Sequence, residues 1–258
     1  MKPTQSFSLV YEDQNIIAVN KASGIAVSGD RWDDSAQRLD KLVAGSLSPE
    51  IRLFRVHRID RDTSGLVVFA KNSDSHSFLS GLFEKRSVYK RYIAIVNGRP
   101  LWKEEACDLP LVPDGNKKHQ TIIDKFQGKK SFTRFRVLCS AGTYSVLEVL
   151  PETGRTHQIR VHAAALGFPV VCDSLYGSEK PVYLSSFKRK WRGDPLEEKP
   201  LLARLGLHAE KLHIPAAKSS EAEVDRRIAV PGLWADGLKL KAAIARDMAA
   251  LINQMEKN

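Results

Sequence analysis

Apolar residues in this sequence occur in short runs of strand length, and turn-forming residues separate one run from the next. Examples are IIAV at 16–19, LVVFA at 66–70 and YIAIV at 92–96. Such runs predict buried strands, and they are too short to span a bilayer. Helical spacing of apolar residues occurs between some runs, but strands and helices do not alternate regularly. The sequence therefore predicts an α+β fold.

The residues between these runs predict where elements begin and end. We expect a single domain over 1–258, with a final helix over about 236–255. Two hairpins are predicted, one over 7–27 and one around Ala141-Gly142. Three further helices are predicted: one that Asp34 or Ser35 caps and that runs to Val43, one from Ser73 or Asp74, and one over 156–166. A polar loop or long hairpin is expected over 107–130, and a charged, mobile insertion over 182–199.

The charge of the chain indicates the class of its partner. Its 258 residues include 40 Lys+Arg against 30 Asp+Glu, a formal net charge of +10. This excess favours a polyanion, with nucleic acid ahead of an acidic membrane surface. The three cysteines form no CxxC pair, so neither a disulfide framework nor a zinc ribbon is predicted. The N-terminal residues lack the apolar core of a signal peptide, and a cytoplasmic protein is therefore expected.

The stretch HRIDRDTSG at 57–65 holds two aspartates, Asp60 and Asp62. Its DTSG half resembles the signature of aspartic proteases, which need two carboxylates that share one proton. The signature occurs once here, and TSG is not the GxSxG elbow of a serine hydrolase, so hydrolase activity is not favoured. His157 and His162 lie about 140° apart around a helix and cannot bind one metal ion from the same face.

Five further segments acquire meaning beside HRIDRDTSG. They are NKASG at 20–24, VYKRYIAIVNG at 88–98, ETGRTHQIRVH at 152–162, the residues from GFP to YG at 167–177, and LHA at 207–209. Together with HRIDRDTSG, which follows NKASG in the chain, they resemble five motifs of the RluA family of RNA pseudouridine synthases. These motifs are, in order, NKPxG, HRLDxxTSG, KxYxAxVxG, GRTHQIRVHxxxxGxPIxGDxxYG and LHAxxL, and the fourth spans two of the segments. The resemblance covers roughly 9–214. It implies the pseudouridine synthase fold, with a mixed, mainly antiparallel sheet, flanking helices and a central RNA-binding cleft.

Three residues depart from these motifs. Ile59 replaces Leu, which conserves side-chain volume. Ala22 replaces the Pro of NKPxG, which loosens one turn, and Cys172 replaces the Gly before Asp173, which affects the backbone there. None of the three is an expected catalytic residue. Because the motifs begin close to residue 9, we expect no N-terminal S4 RNA-binding domain of the kind that many relatives carry.

The resemblance implies isomerisation of uridine to pseudouridine within RNA, with Asp60, Tyr92 and Arg155 as catalytic residues. Positive charge develops at C1′ as the C1′–N1 bond breaks, and Asp60 is the expected carboxylate there, as a nucleophile or as the base for a 2′ proton. Arg155 is expected to keep it ionised. Tyr92 is expected to stack on the uracil and to reach the C5 proton. Asp62 is interpreted as non-catalytic, and 63–65 as the turn into the next strand.

The expected RNA contacts extend beyond these three residues. Arg58 is the candidate that fills the space of a flipped base, with His57 supporting it. The other predicted RNA-binding residues are Lys90, Arg160, Lys188, Arg189, Lys190 and Arg192, and the basic pairs at 85–86, 117–118 and 129–130 are expected to contact the backbone. The resemblance implies no metal and no cofactor.

The identity of the RNA stays open at this point. Both rRNA and tRNA are candidates, and the modified uridine is undefined. We expect a monomer with no obligatory protein partner and no membrane association. The alternative from another class is a catalytically idle RNA-binding protein that keeps the fold. The presence of Asp60, Tyr92 and Arg155 together argues against it.

Overall fold

The structure, a computed structural model, describes residues 6–29, 37–188, 190–216 and 236–257. Within these ranges the elements are, in chain order, β1 (Phe7–Glu12), β2 (Ile16–Lys21), α1 (Leu39–Ala44), β3 (Phe54–Arg55), β4 (Ser64–Ala70), α2 (Ser73–Glu84), β5 (Tyr89–Asn97), β6 (Glu104–Cys107), β7 (Leu111–Val112), β8 (Ile122–Ile123), β9 (Thr133–Ala141), β10 (Tyr144–Pro151), α3 (Gln158–Ala165), β11 (Leu207–Ile214), β12 (Leu238–Lys241) and α4 (Arg246–Glu256). In the described ranges, no helix has the length and apolar character to cross a membrane.

The chain divides into two compact units. Unit 1 comprises Met1–Lys90 and Ala209–Ala243, and unit 2 comprises Arg91–His208 and Ile244–Asn258. Strands and helices occur in both, without regular βαβ alternation, which confirms the predicted α+β class. The expectation of a single domain over 1–258 stays a prediction.

In unit 1 the strands are neighbours in the order β1-β2-β4-β11, while β3 also pairs with β4 and β12 with β11. The pairs β1–β2, β2–β4, β3–β4 and β11–β12 are antiparallel. Apolar residues of β2, β4 and α2 pack into a cluster that includes Ile16, Val68, Phe78 and Leu82. Every residue of β4 is buried, which agrees with its uninterrupted apolar sequence.

In unit 2 the strands are neighbours in the order β5-β10-β9-β6, and these pairings are antiparallel. Alternate residues of a strand face opposite sides of a sheet, and β5 packs on both sides. Ile93 and Ile95 join an apolar cluster with Met248 of α4. Ala94 and Val96 join a second cluster with residues of α3. The two helices therefore cover opposite faces of this sheet.

Both predicted hairpins are confirmed. β1 pairs with β2 in the first, and β9 pairs with β10 across Ala141-Gly142 in the second. The polar segment over 107–130 contains the short antiparallel pair β7–β8. α2 begins where predicted, and the side chain of Asn72 accepts the N–H of Ser75 at its start.

The C-terminal helix is shorter than predicted. The sequence predicts one helix over 236–255, but Leu238–Lys241 form β12 and α4 covers Arg246–Glu256. The residues LKLK alternate apolar and charged side chains, a pattern with the period of a strand. Leu240 is buried where β12 pairs with β11. Pairing with β11 therefore overrides the helical interpretation of this part.

The first residues of α1 and α3 are Leu39 and Gln158. Asp34 and Ser35, the predicted caps of the first helix, lie outside the described residues, and α1 begins at Leu39. α3 begins at Gln158, two residues later than predicted. The reason is that His157 has a left-handed φ of 52°, which a right-handed helix cannot include.

The insertion over 182–199, predicted to be mobile, is anchored to unit 2. Val182 and Leu202 form an antiparallel bridge at its base. Phe187 is buried within an apolar cluster of this unit, and its ring contacts Tyr144 edge to face with centroids 6.1 Å apart. These contacts fix the ends and one internal point of the insertion.

Gly65 lies at the start of β4, where the strand passes unusually close to β11. It has a φ of +114°, and a Cβ built there would lie 2.2 Å from the carbonyl oxygen of Ala209. Glycine is the residue that tolerates both the dihedral and the approach. The TSG part of HRIDRDTSG is thus a tight entry into a buried strand.

Replacing Gly65 by alanine should destabilise the protein strongly. Gly167→Ala is the matched control, because Gly167 also has a positive φ (+87°) but has no atom within 4 Å of a built Cβ. Both variants incur backbone strain of about 1–3 kcal/mol, and only Gly65→Ala adds a steric clash of about 1–3 kcal/mol. Urea unfolding should show a larger loss of unfolding free energy for Gly65→Ala. Equal losses would contradict the tight approach to Ala209.

Candidate functional site

The loop between β3 and β4 carries Asp60, and a β-turn fixes its backbone. The N–H of Thr63 donates to the carbonyl oxygen of Asp60 at 3.2 Å, which closes the turn. Asp60 is half-buried and Asp62 is exposed. Thr63 and Ser64 are both buried. The loop therefore holds Asp60 at the margin of unit 1, directly before the chain enters the core.

The side chain of Lys21, at the end of β2, holds this loop from inside unit 1. Lys21 is only 1% exposed, and its ammonium donates to the carbonyl oxygens of Ala22 and Arg61, at 2.8 Å each. A buried charge is costly unless polar groups compensate it. The contacts therefore fix the position of the Arg61 carbonyl, and with it the residue directly after Asp60.

The turn that follows Lys21 makes further contacts to the same loop. The N–H of Gly24 donates to the carbonyl oxygen of Arg61 at 2.9 Å. The hydroxyl of Ser23 donates to the carbonyl oxygen of Asp62 at 2.6 Å, and Nε of Arg61 donates to the carbonyl oxygen of Gly24 at 3.2 Å. The NKASG segment therefore clamps the backbone on the C-terminal side of Asp60.

His57, whose RNA contact stays a prediction, supports the loop on its N-terminal side. Nε2 accepts the N–H of Val68 at 2.9 Å, and the ring stacks on Phe83 with centroids 4.7 Å apart. Burial, and to a smaller extent the charge of Lys90, lower the pKa of His57 to about 3. The ring is therefore neutral at physiological pH, and these internal contacts occupy it.

Two neighbouring basic residues of unit 1 differ in exposure. Arg58 is exposed, and Lys90 is half-buried. Burial, and then the charge of Arg86, lower the pKa of Lys90 to about 8. It still carries a proton on most molecules at neutral pH. The RNA contacts of Arg58 and Lys90 stay predictions.

Tyr92 lies in β5 and is half-buried. It pairs in register with Val149 of β10 and packs at the edge of the apolar cluster that includes Ile159 of α3. The preceding residue, Arg91, forms an ion pair with Glu148 of β10. The sheet of unit 2 thus fixes the backbone of Tyr92, while part of its side chain reaches the surface.

Gln158, the first residue of α3, organises the turn that carries Arg155. Its Oε1 accepts the backbone N–H of Arg155 at 3.0 Å and the hydroxyl of Thr153 at 2.6 Å. Its Nε2 donates to the carbonyl oxygen of Phe132 and the hydroxyl of Thr133, at 2.9 Å each. Because this amide is buried and fully hydrogen-bonded, it determines the backbone position of Arg155.

The guanidinium of Arg155 contacts the segment before β9. Its Nε donates to the carbonyl oxygen of Lys130 at 3.4 Å, a long and weak hydrogen bond. The side chain is half-buried. A guanidinium has five N–H donors in a planar fork, so this contact orients Arg155 and still leaves it donors for an anion.

Arg160 lies in the interior and has a structural contact there, while its RNA contact stays a prediction. It is 4% exposed, and its Nε and Nη2 each donate to a carboxylate oxygen of Asp173 at 2.7 Å. Oδ1 of Asp173 also accepts the N–H groups of Leu175 and Tyr176. Removing one member of such a buried pair would cost about 3–5 kcal/mol. The pair therefore holds the segment after α3 against the helix.

Tyr176 connects this ion pair to the turn of Arg155. The Arg160 guanidinium lies over the Tyr176 ring, 5.1 Å from its centroid. The Tyr176 hydroxyl accepts the N–H of Thr121 and lies 2.8 Å from Nδ1 of His157. Burial raises the pKa of Tyr176, so the phenol keeps its proton. The contacts continue from Asp173 to His157, two residues after Arg155.

The remaining predicted RNA-binding residues belong to the insertion over 182–199. Lys188, Lys190 and Arg192 are exposed, as residues that contact a nucleic-acid backbone would be. Arg189 lies outside the described residues. The RNA contacts of this group stay predictions.

In the described part of the chain, no three His, Cys, Asp or Glu side chains are grouped so that they could hold a metal ion. Burial raises the pKa of the free thiols Cys107, Cys139 and Cys172. Such thiols remain protonated and are poor nucleophiles and ligands.

Lys21, Gln158 and Tyr176 have no predicted role in the sequence, although the structure gives each a positioning function. Each lies within a recognised motif, namely NKASG, GRTHQIRVH and the YG that ends the fourth segment. That membership is the signal that could have identified them. Their roles depend on contacts with residues distant in the sequence, which the motifs alone do not specify.

Known proteins resemble this chain in sequence and in fold. A sequence model of the family described as RNA pseudouridylate synthase matches residues 15–165. "Ribosomal large subunit pseudouridine synthase D" of Borreliella burgdorferi is 36% identical over 177 residues, which cover 66% of this chain and 54% of the relative. "Dual-specificity RNA pseudouridine synthase RluA" of Vibrio cholerae is 36% identical over 175 residues, 67% of this chain and 70% of the relative. The chain thus spans about half the length of the first of these relatives.

Solved structures share the fold over nearly the whole chain. "Human RNA Pseudouridylate Synthase Domain Containing 4" superposes with a TM-score of 0.67 and 22% identity, covering 96% of this chain and 93% of the other. "Human RNA Pseudouridylate Synthase Domain Containing 1" gives a TM-score of 0.62 and 24% identity, covering 100% and 98%. The expected fold is therefore confirmed.

The pKa of His57 predicts a pH-dependent stability. Its value in the folded protein, about 3, lies below the ordinary value of about 6.5 in the unfolded chain. Between these values the unfolded chain binds more protons, so the free energy of unfolding falls as the pH drops from about 6.5 towards 3. His57→Gln keeps an acceptor for the Val68 N–H but does not titrate.

Urea unfolding of both proteins between about pH 7 and pH 4.5 would test this expectation. The free energy of unfolding should fall less steeply in His57→Gln than in the wild type. Parallel curves would show that His57 is not the neutral, buried ring described above.

Proposed function

The chain belongs to the RNA pseudouridylate synthase family, and from this premise we propose that it isomerises uridine to pseudouridine within RNA. The observation that carries the proposal is that the family match over 15–165 includes Asp60, Tyr92 and Arg155. In the reaction the C1′–N1 bond breaks, the uracil turns, and a C1′–C5 bond forms. N1 gains a proton and C5 loses one, so the atoms balance without an oxidant or a second substrate.

Asp60 is proposed as the catalytic carboxylate. A carboxylate stabilises the positive charge that develops at C1′ when a glycosidic bond breaks. Either it attacks C1′ and forms a covalent intermediate, or it removes the 2′ proton. The clamp from Lys21 and the turn closed by Thr63 hold its backbone on the C-terminal side, and His57 supports the loop on the N-terminal side. Such fixed placement is what a reacting group needs, because small displacements cost rate.

Tyr92 is proposed as the residue that stacks on the uracil and accepts the proton from C5. A half-buried tyrosine on a central strand offers an aromatic face at a fixed position, and aromatic rings stack on bases without sequence preference. Its hydroxyl would need to reach C5 directly or through one water. This role is separate from that of Asp60, which acts at the sugar.

Arg155 is proposed as the partner that keeps Asp60 ionised. A planar guanidinium suits bidentate pairing with a carboxylate. The amide of Gln158 fixes the Arg155 backbone. The guanidinium retains donors beyond its bond to Lys130. These features support a residue held ready for an anion.

The proposed substrate is large-subunit ribosomal RNA, with tRNA as the alternative. The name of the Borreliella burgdorferi relative refers to the large ribosomal subunit, and the net charge of +10 suits a polyanion. The target base must leave its stack, at a cost of about a few kcal/mol, and Arg58 is proposed to brace the extruded state. Because its three thiols are free, we also propose that it acts in the reducing cytoplasm. The monomeric state is a separate proposal.

Mapping of pseudouridine in RNA from cells with and without the gene tests the substrate. Loss of a site in large-subunit rRNA would support the proposal, and loss of a tRNA site would favour the alternative. If no site disappears, and purified protein releases no tritium from C5-labelled uridine in any cellular RNA fraction, the idle RNA-binding protein replaces the proposed enzyme.

Asp60→Asn should abolish turnover, because an amide neither attacks C1′ nor removes a proton. We expect the rate of tritium release from C5-labelled RNA to fall by about 10⁴-fold or more, with unchanged unfolding. Asp62→Asn is the matched control, since Asp62 is the exposed aspartate two residues away, and it should remain near the wild-type rate. Reversed effects would move the chemistry to the DTSG half of the motif.

Tyr92→Phe should separate stacking from proton transfer. Phenylalanine keeps the ring but lacks the hydroxyl, so RNA affinity should persist while the single-turnover rate falls by about 10²–10⁴-fold. The rate is measured by tritium release with enzyme in excess, and the affinity by filter binding. A normal rate together with normal affinity would leave Tyr92 as a packing residue of β5.

A further inference from the structure

The turn over 124–128, which follows β8, presents an aromatic side chain to solvent on a fixed backbone. Oδ1 of Asp124 accepts the N–H groups of Phe126 and Gln127, at 2.8 and 3.0 Å. The N–H of Gly128 donates to the carbonyl oxygen of Asp124 at 3.0 Å, and the N–H of Asp124 donates to the carbonyl oxygen of Pro110 at 3.1 Å. These four hydrogen bonds define the turn without using any side chain but that of Asp124.

Gly128 packs so closely against its neighbours that a larger residue would not fit at this position of the turn. A Cβ at Gly128 would lie 2.2 Å from the carbonyl oxygen of Asp124 and 2.7 Å from the carbonyl carbon of Pro110. Beyond the turn, Leu111 and Lys129 exchange two backbone hydrogen bonds, of 3.1 and 2.9 Å. The turn is therefore closed at both ends and is not a loose loop.

Phe126, at the tip of the turn, is 99% exposed. Phenylalanine has no polar group that gains from water, and burying its ring is favourable. The turn nevertheless holds the ring away from the apolar clusters of unit 2. Single exposed apolar side chains are common on protein surfaces, so a function for Phe126 must be argued from the charges and residues around it.

The charges around Phe126 identify the chemistry of a partner for this ring. The segment 113–130 contains five lysines against two aspartates, so its surface is strongly cationic. Of the two acids, Asp114 pairs with His119 and Asp124 accepts the turn N–H groups. An exposed aromatic ring among lysines matches the surface of single-stranded nucleic-acid sites, where bases stack on rings and cations follow the phosphates.

The position of the turn relates it to the proposed catalytic residues. Lys130, four residues after Phe126, offers its carbonyl oxygen to Nε of Arg155. Four residues of chain span at most about 14 Å. Phe126 therefore lies within a short distance of Arg155 in the same unit, close enough to contact nucleotides next to the reacting uridine.

We propose that the 124–128 turn is a stacking site for an unpaired base of the RNA substrate, with Phe126 under the base and Lys125 and Lys129 on the adjacent phosphates. The inference rests on the proposed function and extends it, since it assigns recognition of flanking single-stranded RNA to a residue outside the family motifs. A stacked base on Phe126 would secure the RNA while the neighbouring uridine is extruded.

Substitution of Phe126 tests the stacking. Loss of one base–aromatic stack weakens binding by about 5- to 150-fold, so Phe126→Ala should raise the Kd for a fluorescently labelled single-stranded oligouridine by such a factor. Phe126→Trp should retain the affinity, and Phe126→Leu, which is apolar but has no ring, should not. With tritiated RNA the KM should rise while kcat changes little, because the ring does not touch the reacting atoms.

Leu196→Ala is the matched control. Leu196 is 95% exposed and, like Phe126, follows by two residues an aspartate that accepts its N–H, in this case Asp194 at 2.8 Å. Acidic residues flank it at 194 and 197, so no RNA contact is expected and Kd should not change. If Phe126→Ala behaves like Leu196→Ala, or if Phe126→Leu rescues binding fully, base stacking is overturned.

The two lysines have a different signature. Each lysine that contacts a phosphate of single-stranded RNA contributes about 0.7 to the slope of log Kd against log salt concentration. Lys125→Gln combined with Lys129→Gln should lower this slope by about twice that amount, whereas Phe126→Ala should leave it unchanged. A slope unaffected by the lysine variants would overturn the assigned phosphate contacts.

Oligouridine binding does not require turnover, so the proposals can fail separately. A wild-type protein that forms no pseudouridine but loses affinity in Phe126→Ala would refute the proposed enzyme and support the stacking site. An active wild type in which Phe126→Ala changes neither Kd nor KM would refute the stacking site alone.

Discussion

The buried ammonium of Lys21 is the interaction on which the loop of Asp60 depends. A charge inside a protein must be surrounded by polar groups, and here two of these groups are the carbonyl oxygens of Ala22 and Arg61. A hydrogen bond to a charged group contributes about 1.5–3 kcal/mol. Movement of the loop away from β2 would take the Arg61 carbonyl oxygen from this charge. The free-energy cost of burying Lys21 therefore favours the conformation in which the loop of Asp60 lies against β2.

Unit 2 fixes Arg155 by a different chemical means. The neutral amide of Gln158 joins the turn before α3 to the segment before β9, and the Arg160–Asp173 ion pair secures the chain after α3. In both units, hydrogen bonds to the backbone fix the position of a proposed catalytic residue, Asp60 in unit 1 and Arg155 in unit 2. The positioning residues lie in the interior, so that the reactive groups themselves can remain partly exposed.

Much of the fold and of the site follows from the sequence where contacts are local. The two hairpins, α2 and the strand after HRIDRDTSG are confirmed because period and turn residues specify them. The predictions were wrong or incomplete where contacts between residues distant in the sequence determine the structure. LKLK becomes β12 because β11 offers it a pairing edge. The sequence also did not predict the burial of Arg160 against Asp173, which lies beside it after the turn that follows α3. Neither partner is apparent from the local pattern around the residue itself.

Two departures from the family motifs, Ala22 and Cys172, can also be understood from their contacts and backbone conformation. Ala22 replaces a proline, and its N–H donates to the carbonyl oxygen of Ser6 at 3.0 Å, a bond that proline could not make. The looser turn thus gains a tie to the segment before β1. Cys172 replaces a glycine and keeps a left-handed φ of 57°, which strains a residue with a Cβ by about 1–2 kcal/mol.

The sulfur of Cys172 lies 3.4 Å from the carbonyl oxygen of Lys180 and 3.6 Å from that of Leu202, at the base of the insertion. These weak contacts offset only part of the strain, yet the backbone remains in the conformation that presents Asp173 to Arg160. Strained residues persist where the surrounding structure over-determines the backbone. The buried pair of Asp173 with Arg160, directly after Cys172, is part of that surrounding structure.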